Sequence, residues 1–423
     1  MEYKAIRGTR DIAGELATYF NYLEEQARKI FAGYGYSELR TPIFESSSVF
    51  LRSLGETTDI VAKEMYMFED KGGRSLALRP EGTAPIVRAA LENNLIEPNI
   101  DTRVFYQGAM FRYDRPQAGR YRQFYQIGAE VFGNKNPLLD FEIIKIANDI
   151  IINMGITDAV LHINSVGCRE CRPAYLKVLA AFLNNLQTDE LCPTCNKRKD
   201  TNILRVFDCK IDTCKKVLQA APRVLDHVCG SCSTDFLKLK EYLNKQKISF
   251  IVDEMLVRGL DYYTGTVFEI LTDKLGAQAA LAAGGRYDNL VQELGGKKAI
   301  PAFGFALGED RVVELLKPLN LPLVKKPLIF LLTTDIAKHN EQIFNNFDLI
   351  EELRAKGVVV TYNSTGKSIK SQLRTANNLG AYKSVFIEPD GSFSVKDMIT
   401  GHQQKIVKSE ILQAIPAIYV KKE

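Results

Sequence analysis

Long hydrophobic runs are missing from this sequence. The densest apolar stretch, Pro327-Leu-Ile-Phe-Leu-Leu, falls far short of the roughly 18 residues that a membrane span requires. Met1-Glu-Tyr-Lys-Ala has no apolar segment behind a basic start, so no export signal is expected and the chain is expected in the cytoplasm. Internal repeats and low-complexity tracts are absent as well. With 46% hydrophobic and 25% charged residues, the composition excludes a disordered, collagenous or coiled-coil chain. Histidine is scarce: His162, His227, His339 and His402 stand away from the glycine- and arginine-rich motifs and read as structural or surface residues. Net charge is low at +4, too mild to announce a nucleic-acid binder.

What is present is unevenly spread. At 423 residues the chain exceeds what one core serves, and two or three cores are expected. From Ser165 to Phe250 there are 15 basic and 9 acidic residues, a local +6 that would attract a polyanion. The same segment holds all eight cysteines: Cys168 and Cys171, Cys192 and Cys195, Cys209 and Cys214, Cys229 and Cys232. Disulfides do not suit a cytosolic chain, whereas paired thiolates suit tetrahedral zinc. One or two tetrathiolate zinc sites are expected, the alternative being reduced thiols packed as small apolar residues. Spacing does not say which pairs meet.

Hydrophobic periodicity gives the organisation. Phe20, Leu23, Ala27, Ile30 and Phe31 mark a helix that ends at Gly33-Tyr-Gly35, and 139–152 marks a second. Segments 65–68, 76–78, 104–107, 123–128, 160–163 and 266–271 read as strands between turns. The expectation is α+β: an antiparallel sheet flanked by helices, interrupted by the basic cysteine-bearing block. Lys317 to Pro327 carries three prolines in eleven residues and reads as a linker. Beyond it, 328–332, 358–361 and 385–388 alternate with a helix through Ile343, Phe347, Ile350 and Leu353 and another segment at 369–379, a small α/β domain.

The sharpest chemical signal is the run from Phe111 to Glu130. Arg112, Arg115, Arg120 and Arg122 with Asp114 fall within eleven residues, interleaved with aromatics and broken by Pro116 and Gly119. Such a hairpin offers guanidinium forks for phosphate and planes for stacking a base. Glu81, in Arg79-Pro-Glu-Gly-Thr83, sits at an expected helix start, where it either caps the helix or meets an ammonium group. Arg258-Gly-Leu-Asp-Tyr-Tyr263 and Ala283-Gly-Gly-Arg-Tyr-Asp288 again set Arg, Tyr and Asp beside glycine. Gly304, Gly308 and Arg311 would pack a helix close to a sheet and aim one arginine at its end.

Taken together these segments resemble the histidyl-tRNA synthetases, a family of class II aminoacyl-tRNA synthetases, over essentially the whole chain. The three class II motifs are similar to Gly33 to Pro42, Phe111 to Glu130, and Gly304 to Arg311; the signatures at Leu256 to Tyr263 and Ala283 to Asp288 are particular to the histidine family. The resemblance implies a catalytic domain at 1–164 and 251–318, an inserted subdomain at 165–250, a linker at 319–326 and an anticodon-binding domain at 327–423. It implies ATP-dependent activation of L-histidine, with Mg2+, and transfer to tRNA-His. Arg112 and Arg258 would act on the α-phosphate and carboxylate as catalytic residues. Arg112, Asp114, Arg120, Phe124 and Arg311 would bind ATP. Glu81, Thr83, Gln126, Glu130, Tyr262, Tyr263 and Tyr287, with Arg112 and Arg258, would bind histidine, and Gln117 would touch tRNA. A homodimer with Pro42 at the contact is implied too.

Asp114 and Asp310 stand where the family usually has Glu, and Arg7-Gly-Thr-Arg-Asp11 matches the family opening without the proline expected after it. Two other classes compete. A regulatory paralogue, such as the synthetase-like subunit of ATP phosphoribosyltransferase, is opposed by the tail domain and by Arg258, Tyr262, Tyr263 and Arg311. A zinc-bearing nucleic-acid module explains the cysteines and nothing else.

Overall fold

The computed structural model describes residues 3–55, 58–97, 100–117, 119–278, 280–319, 321 and 328–411. Most of the expected linker at 319–326, with Pro327 and the last residues of the tail domain, lies outside the described residues. The chain divides into two compact units, Met1–Leu321 and Pro322–Glu423.

In the first unit the strands are β1 (Ser37–Glu38), β2 (Phe44–Ser46), β3 (Met67–Glu69), β4 (Ser75–Leu78), β5 (Thr102–Phe111), β6 (Gln123–Phe132), β7 (Val160–Ser165), β8 (Phe250–Val252), β9 (Thr264–Leu271), β10 (Ala280–Arg286) and β11 (Ala302–Gly308). Eight form one sheet in the order β1-β5-β6-β11-β10-β9-β7-β8. Its interior is antiparallel as expected, while both edge pairs, β1 with β5 and β7 with β8, run parallel. A three-stranded sheet, β2-β4-β3, stands apart from it.

Register explains why the main sheet has two unlike faces. On one face Ile127, Ala129 and Val131 of β6 lie opposite Leu307, Phe305 and Phe303 of β11. This apolar side takes the helices: Phe31 of helix Glu15–Gly33 stacks on Phe105 at 4.5 Å and lies 6.5 Å from Phe305. Helix Pro137–Asn153 packs across β6, β9, β10 and β11, burying Leu139, Ile143, Ile146 and Ile150 at helical spacing. Asn136 caps it by accepting from the Leu138 N–H at 2.9 Å, with Pro137 in the first turn.

The other face is built of small residues. Gln126, Gly128 and Glu130 of β6 lie opposite Gly308, Ala306 and Gly304 of β11, and Ala306 and Gly304 in turn lie opposite Ala283 and Gly285 of β10. A Cβ at Gly304 would stand 1.5 Å from Glu130 Oε2, and one at Gly128 would stand 2.3 Å from the Tyr106 ring. The glycines make room for the Glu130 and Tyr106 side chains, while Ala283, Ala306 and Gly308 beside them face a cavity.

Between β7 and β8 the chain leaves the sheet through helices Arg172–Asn184, Pro193–Thr201, Asp212–Leu218 and Gly230–Lys245. The first three share a core that includes Tyr175, Leu179, Leu183, Cys195 and Leu218, while Gly230–Lys245 packs on helix Pro137–Asn153.

The second unit has strands β12 (Leu328–Thr333), β13 (Val359–Tyr362), β14 (Lys383–Ile387), β15 (Phe393–Asp397) and β16 (Gln403–Ile406), in the order β13-β12-β14-β15-β16. The β12 strand is parallel to β13 and β14; β15 and β16 continue the sheet antiparallel. Two details depart from expectation. The single helix expected through Ile343 and Leu353 is two helices, His339–Asn345 and Phe347–Ala355, because the Asn346 N–H turns back to the Ile343 carbonyl at 3.2 Å. The last two strands were not expected, since Ser394, Lys396, Gln403 and Gln404 give them little apolar periodicity.

Candidate active site

The expected arginine hairpin forms between β5 and β6. Arg112 N–H bonds the Arg122 carbonyl at 2.9 Å, and Gln117 and Arg120 bridge near the tip. Its four arginines do not act alike. Arg112 and Arg120 line a cavity of about 440 Å³ over the small-residue floor. Arg122 instead stacks on Tyr113 at 4.0 Å, and Arg115 is exposed beside Gln117.

Arg258 and Arg311, from distant parts of the chain, line the same cavity. Each guanidinium is held from behind. Arg112 Nε donates to the Pro80 carbonyl at 2.8 Å and its plane lies 5.3 Å from the Phe124 ring. Arg120 pairs with Asp114, Arg258 pairs with Glu269, and Arg311 Nη1 donates to the Ala280 carbonyl at 2.6 Å. Burial lowers the Arg311 pKa to about 10, and Arg112 and Arg120 push the same way. Burial also lowers Arg112, against the pull of Glu64 and Glu81. Burial opposes the charge on Arg258, but Glu269 and Tyr263 outweigh it and raise its pKa. Cations that depress one another in a recess favour a polyanion between them.

The opposite wall is formed by Glu81, Thr83, Gln126, Tyr262 and Tyr263. Glu81 accepts the Thr83 and Ala84 N–H groups at 2.7 and 2.8 Å, so it caps helix Thr83–Glu92 and still faces the cavity. Burial raises its pKa, while those N–H groups pull it down. Gln126 Oε1 is buried without a hydrogen-bond partner, an acceptor waiting for a donor. Glu130 and Tyr287, expected around the imidazole, stand one layer behind the surface. Thr83 Oγ1 donates to Glu130 Oε1 at 2.8 Å and Tyr287 donates to Oε2 at 2.5 Å, so the pair fixes Thr83 and the tyrosine cluster. Tyr262 lies 4.7 Å from Tyr263 and 5.7 Å from Tyr287 between ring centroids.

The arrangement joins a cationic half, with Arg112, Arg120, Arg258 and Arg311, to a half lined by Glu81, Thr83, Gln126 and two tyrosines. The histidyl-tRNA synthetase family model matches residues 8–312. The chain belongs to the histidyl-tRNA synthetase family. The histidine–tRNA ligase of Halothermothrix orenii is 45% identical over 98% of this chain and 99% of its own, and that of Thermotoga maritima is 44% identical over 96% of each. The crystal structure of apo S. aureus histidyl-tRNA synthetase superposes with a TM-score of 0.79 at 32% identity, covering 97% of this chain and 99% of the other. Membership and fold are thus settled together, as a class II α+β synthetase.

Against that family background the two aspartates find partners despite their shorter reach. Asp310 accepts the Tyr125 N–H at 2.8 Å and the Arg10 guanidinium at 2.7 Å; Asp114 takes Arg120. Arg286, in the histidine signature, turns away from the cavity to pair with Asp140 and, at 3.1 Å, with Asp288. Sequence reasoning missed Glu64, Lys210 and Glu269. Lys210 and Glu269 line the cavity, and Glu64 lies 3.8 Å from Arg120; Glu64 and Glu269 have no motif around them, and Lys210 sits within the cysteine motif, which points to metal rather than to the cavity. His339 is buried between Thr333 and the Asn363 carbonyl, and His162 faces Asp253 at 3.1 Å, both structural settings. The eight cysteines gather into two quartets in the inserted helices.

Proposed function

We propose that this cavity performs both steps of histidine–tRNA ligation. The chain is an enzyme of that kind, activating L-histidine with ATP and charging tRNA-His. The observation that carries the site assignment is the convergence of Arg112, Arg120, Arg258 and Arg311 on one recess.

In the first step a histidine carboxylate oxygen attacks the α-phosphorus of ATP, the bond to the β-phosphate breaks, and pyrophosphate leaves with the electron pair. A carboxylate is already deprotonated near neutrality, so positioning and charge neutralisation supply the catalysis. Arg112 and Arg258 would neutralise the α-phosphate as its charge grows. Arg311 and Arg120 would hold the outer phosphates, with Asp114 orienting Arg120 and Phe124 stacking on adenine. The carboxylates on this side, Asp114 and Glu269, are already committed to arginines. Mg2+ entering with ATP would therefore be held chiefly by phosphate oxygens and water, neutralising charge there.

Glu81 and Gln126 are suited to the substrate ammonium, and Tyr262 and Tyr263 to the imidazole, with Glu130 and Tyr287 holding that wall. A site of fixed polar groups rejects analogues that leave them unpaired by roughly 10⁴ or more. In the second step a terminal ribose hydroxyl of tRNA attacks the histidyl carbonyl and AMP departs. Exposed Gln117 would touch the tRNA end, and the second unit would read the anticodon.

The molecule would work as a homodimer in the cytoplasm. Exposed Ile43, Phe44, Met67 and Phe68 beside Pro42 supply an apolar patch for a second copy. Light scattering at micromolar concentration should give twice the chain mass. Pyrophosphate exchange into ATP that depends on histidine and on no other amino acid tests the function; no exchange with histidine present would favour the regulatory paralogue.

A further inference from the structure

We infer that the inserted subdomain holds two structural zinc ions, one in the quartet Cys168, Cys171, Cys229 and Cys232 and one in the quartet Cys192, Cys195, Cys209 and Cys214. Within each quartet the sulfur atoms all lie within 4.8 Å of one another. The separations are 3.6 Å for Cys168 to Cys171, 3.8 Å for Cys168 to Cys229, 4.0 Å for Cys171 to Cys232 and 3.8 Å for Cys192 to Cys209. Zinc–sulfur bonds of about 2.3 Å in a tetrahedron set sulfurs about 3.8 Å apart. Disulfides need about 2.05 Å, and all eight cysteines are free.

Close packing of neutral thiols could bring sulfurs together, but it would not require donors. Here backbone N–H groups point at sulfur: Cys168 at Cys171 Sγ, 3.2 Å; Cys192 at Cys214 Sγ, 3.1 Å; Cys195 at Cys192 Sγ, 3.4 Å. Such donors stabilise thiolate charge, as expected around a ligated metal. The pairing also uses every cysteine once, across two independent sites.

Their places in the fold give the ions different work. The first quartet lies at the neck of the insertion: Cys168 and Cys171 follow β7, and Cys229 and Cys232 begin the helix that returns to β8. Next to Cys171, Arg172 donates to the Val166 and Gly167 carbonyls at 2.9 and 3.1 Å and to the Tyr263 carbonyl, tying the neck to the cavity wall. The second quartet brackets the basic edge. Lys210, between Cys209 and Cys214, lines the cavity with Arg120, while Arg198 and Arg205 reach Asp59 at 3.4 and 3.2 Å. Without its ion the second site would release the segment that presents Lys210.

The test is metal analysis of the full chain purified without added zinc, with about two zinc ions per chain expected. The double variants Cys171→Ser with Cys232→Ser, and Cys195→Ser with Cys214→Ser, should each retain about one. Should either variant fail to fold, cobalt(II) loaded into the unmodified chain after chelation gives an independent reading: intense thiolate-to-cobalt absorption, rising to a break at two equivalents. Less than about a tenth of an equivalent of zinc with no such absorption overturns the inference. A break at one equivalent overturns the two-ion form. Neither measurement involves substrate, so its failure is separable from failure of the ligase assignment, which histidine-dependent exchange reports.

Discussion

Arg10 donates to Asp310 at 2.7 Å across 300 residues of sequence, and the second oxygen of that carboxylate accepts the Tyr125 N–H at 2.8 Å. The same guanidinium reaches the Tyr121 hydroxyl at 2.7 Å. One ion pair thereby joins the N-terminal segment, β6 and the helix that carries Arg311. Arg10→Ala should cost about 2 kcal/mol in denaturant unfolding, since it strands a buried carboxylate, and should raise the KM for ATP more than it lowers kcat. Arg10→Lys should restore part of both; an Ala variant with unchanged stability and KM would remove the case for this strut.

Arg258 is expected to act on the α-phosphate as its charge develops. Arg258→Ala should lower histidine-dependent pyrophosphate exchange by roughly 10²–10³. Glu269→Gln, which leaves the cation but loosens its seat, should cost less and act mainly on kcat. Near-normal exchange by the Arg258 variant would refute the assigned role.

The strand beneath Glu130 has no room for a side chain at Gly304. Gly304→Ala places a methyl within 1.5 Å of Glu130 Oε2 and 2.7 Å of the Ala129 carbonyl. The strand must shift, so a loss of about 3 kcal/mol or failure to accumulate folded chain is expected. A melting temperature equal to that of the parent would show that the strand yields.

Burial pushes the Glu130 carboxyl up to about 8 from an ordinary 4.5, although Tyr287 and Thr83 donate to it and favour its charge. Across that window the folded chain holds a proton that the unfolded chain has released, so this group's contribution to stability falls as pH rises and levels off above about 8. Glu130→Gln cannot titrate. Denaturation from pH 5 to pH 8 should therefore show a shallower decline for the variant than for the parent, and parallel curves would exclude an elevated Glu130.

Much of this architecture was legible because long elements repeat their apolar positions: helices Glu15–Gly33 and Pro137–Asn153 follow the expected stripes. The arginines were legible because they sit in dense motifs. Three things were not. The break at Asn346 is invisible to periodicity, as Ile343, Phe347 and Ile350 fit one continuous stripe. The cysteine pairing depends on how four short helices fold back. The partners Glu269 and Arg10 acquire meaning only through register and long-range contact. Glu130 and Tyr287 illustrate the same limit, since a motif gives proximity without saying which side chain reaches the surface and which supports it.

The part of the cavity floor made of Ala283, Ala306 and Gly308 consists largely of peptide groups, and peptide groups cannot be exchanged by point mutation. An inhibitor lying flat on those strands would press against atoms common to every viable variant. Resistance would then have to arise at the rim, where side chains such as Phe124, Arg120 and Lys210 can still be altered, at direct expense to the grip on nucleotide.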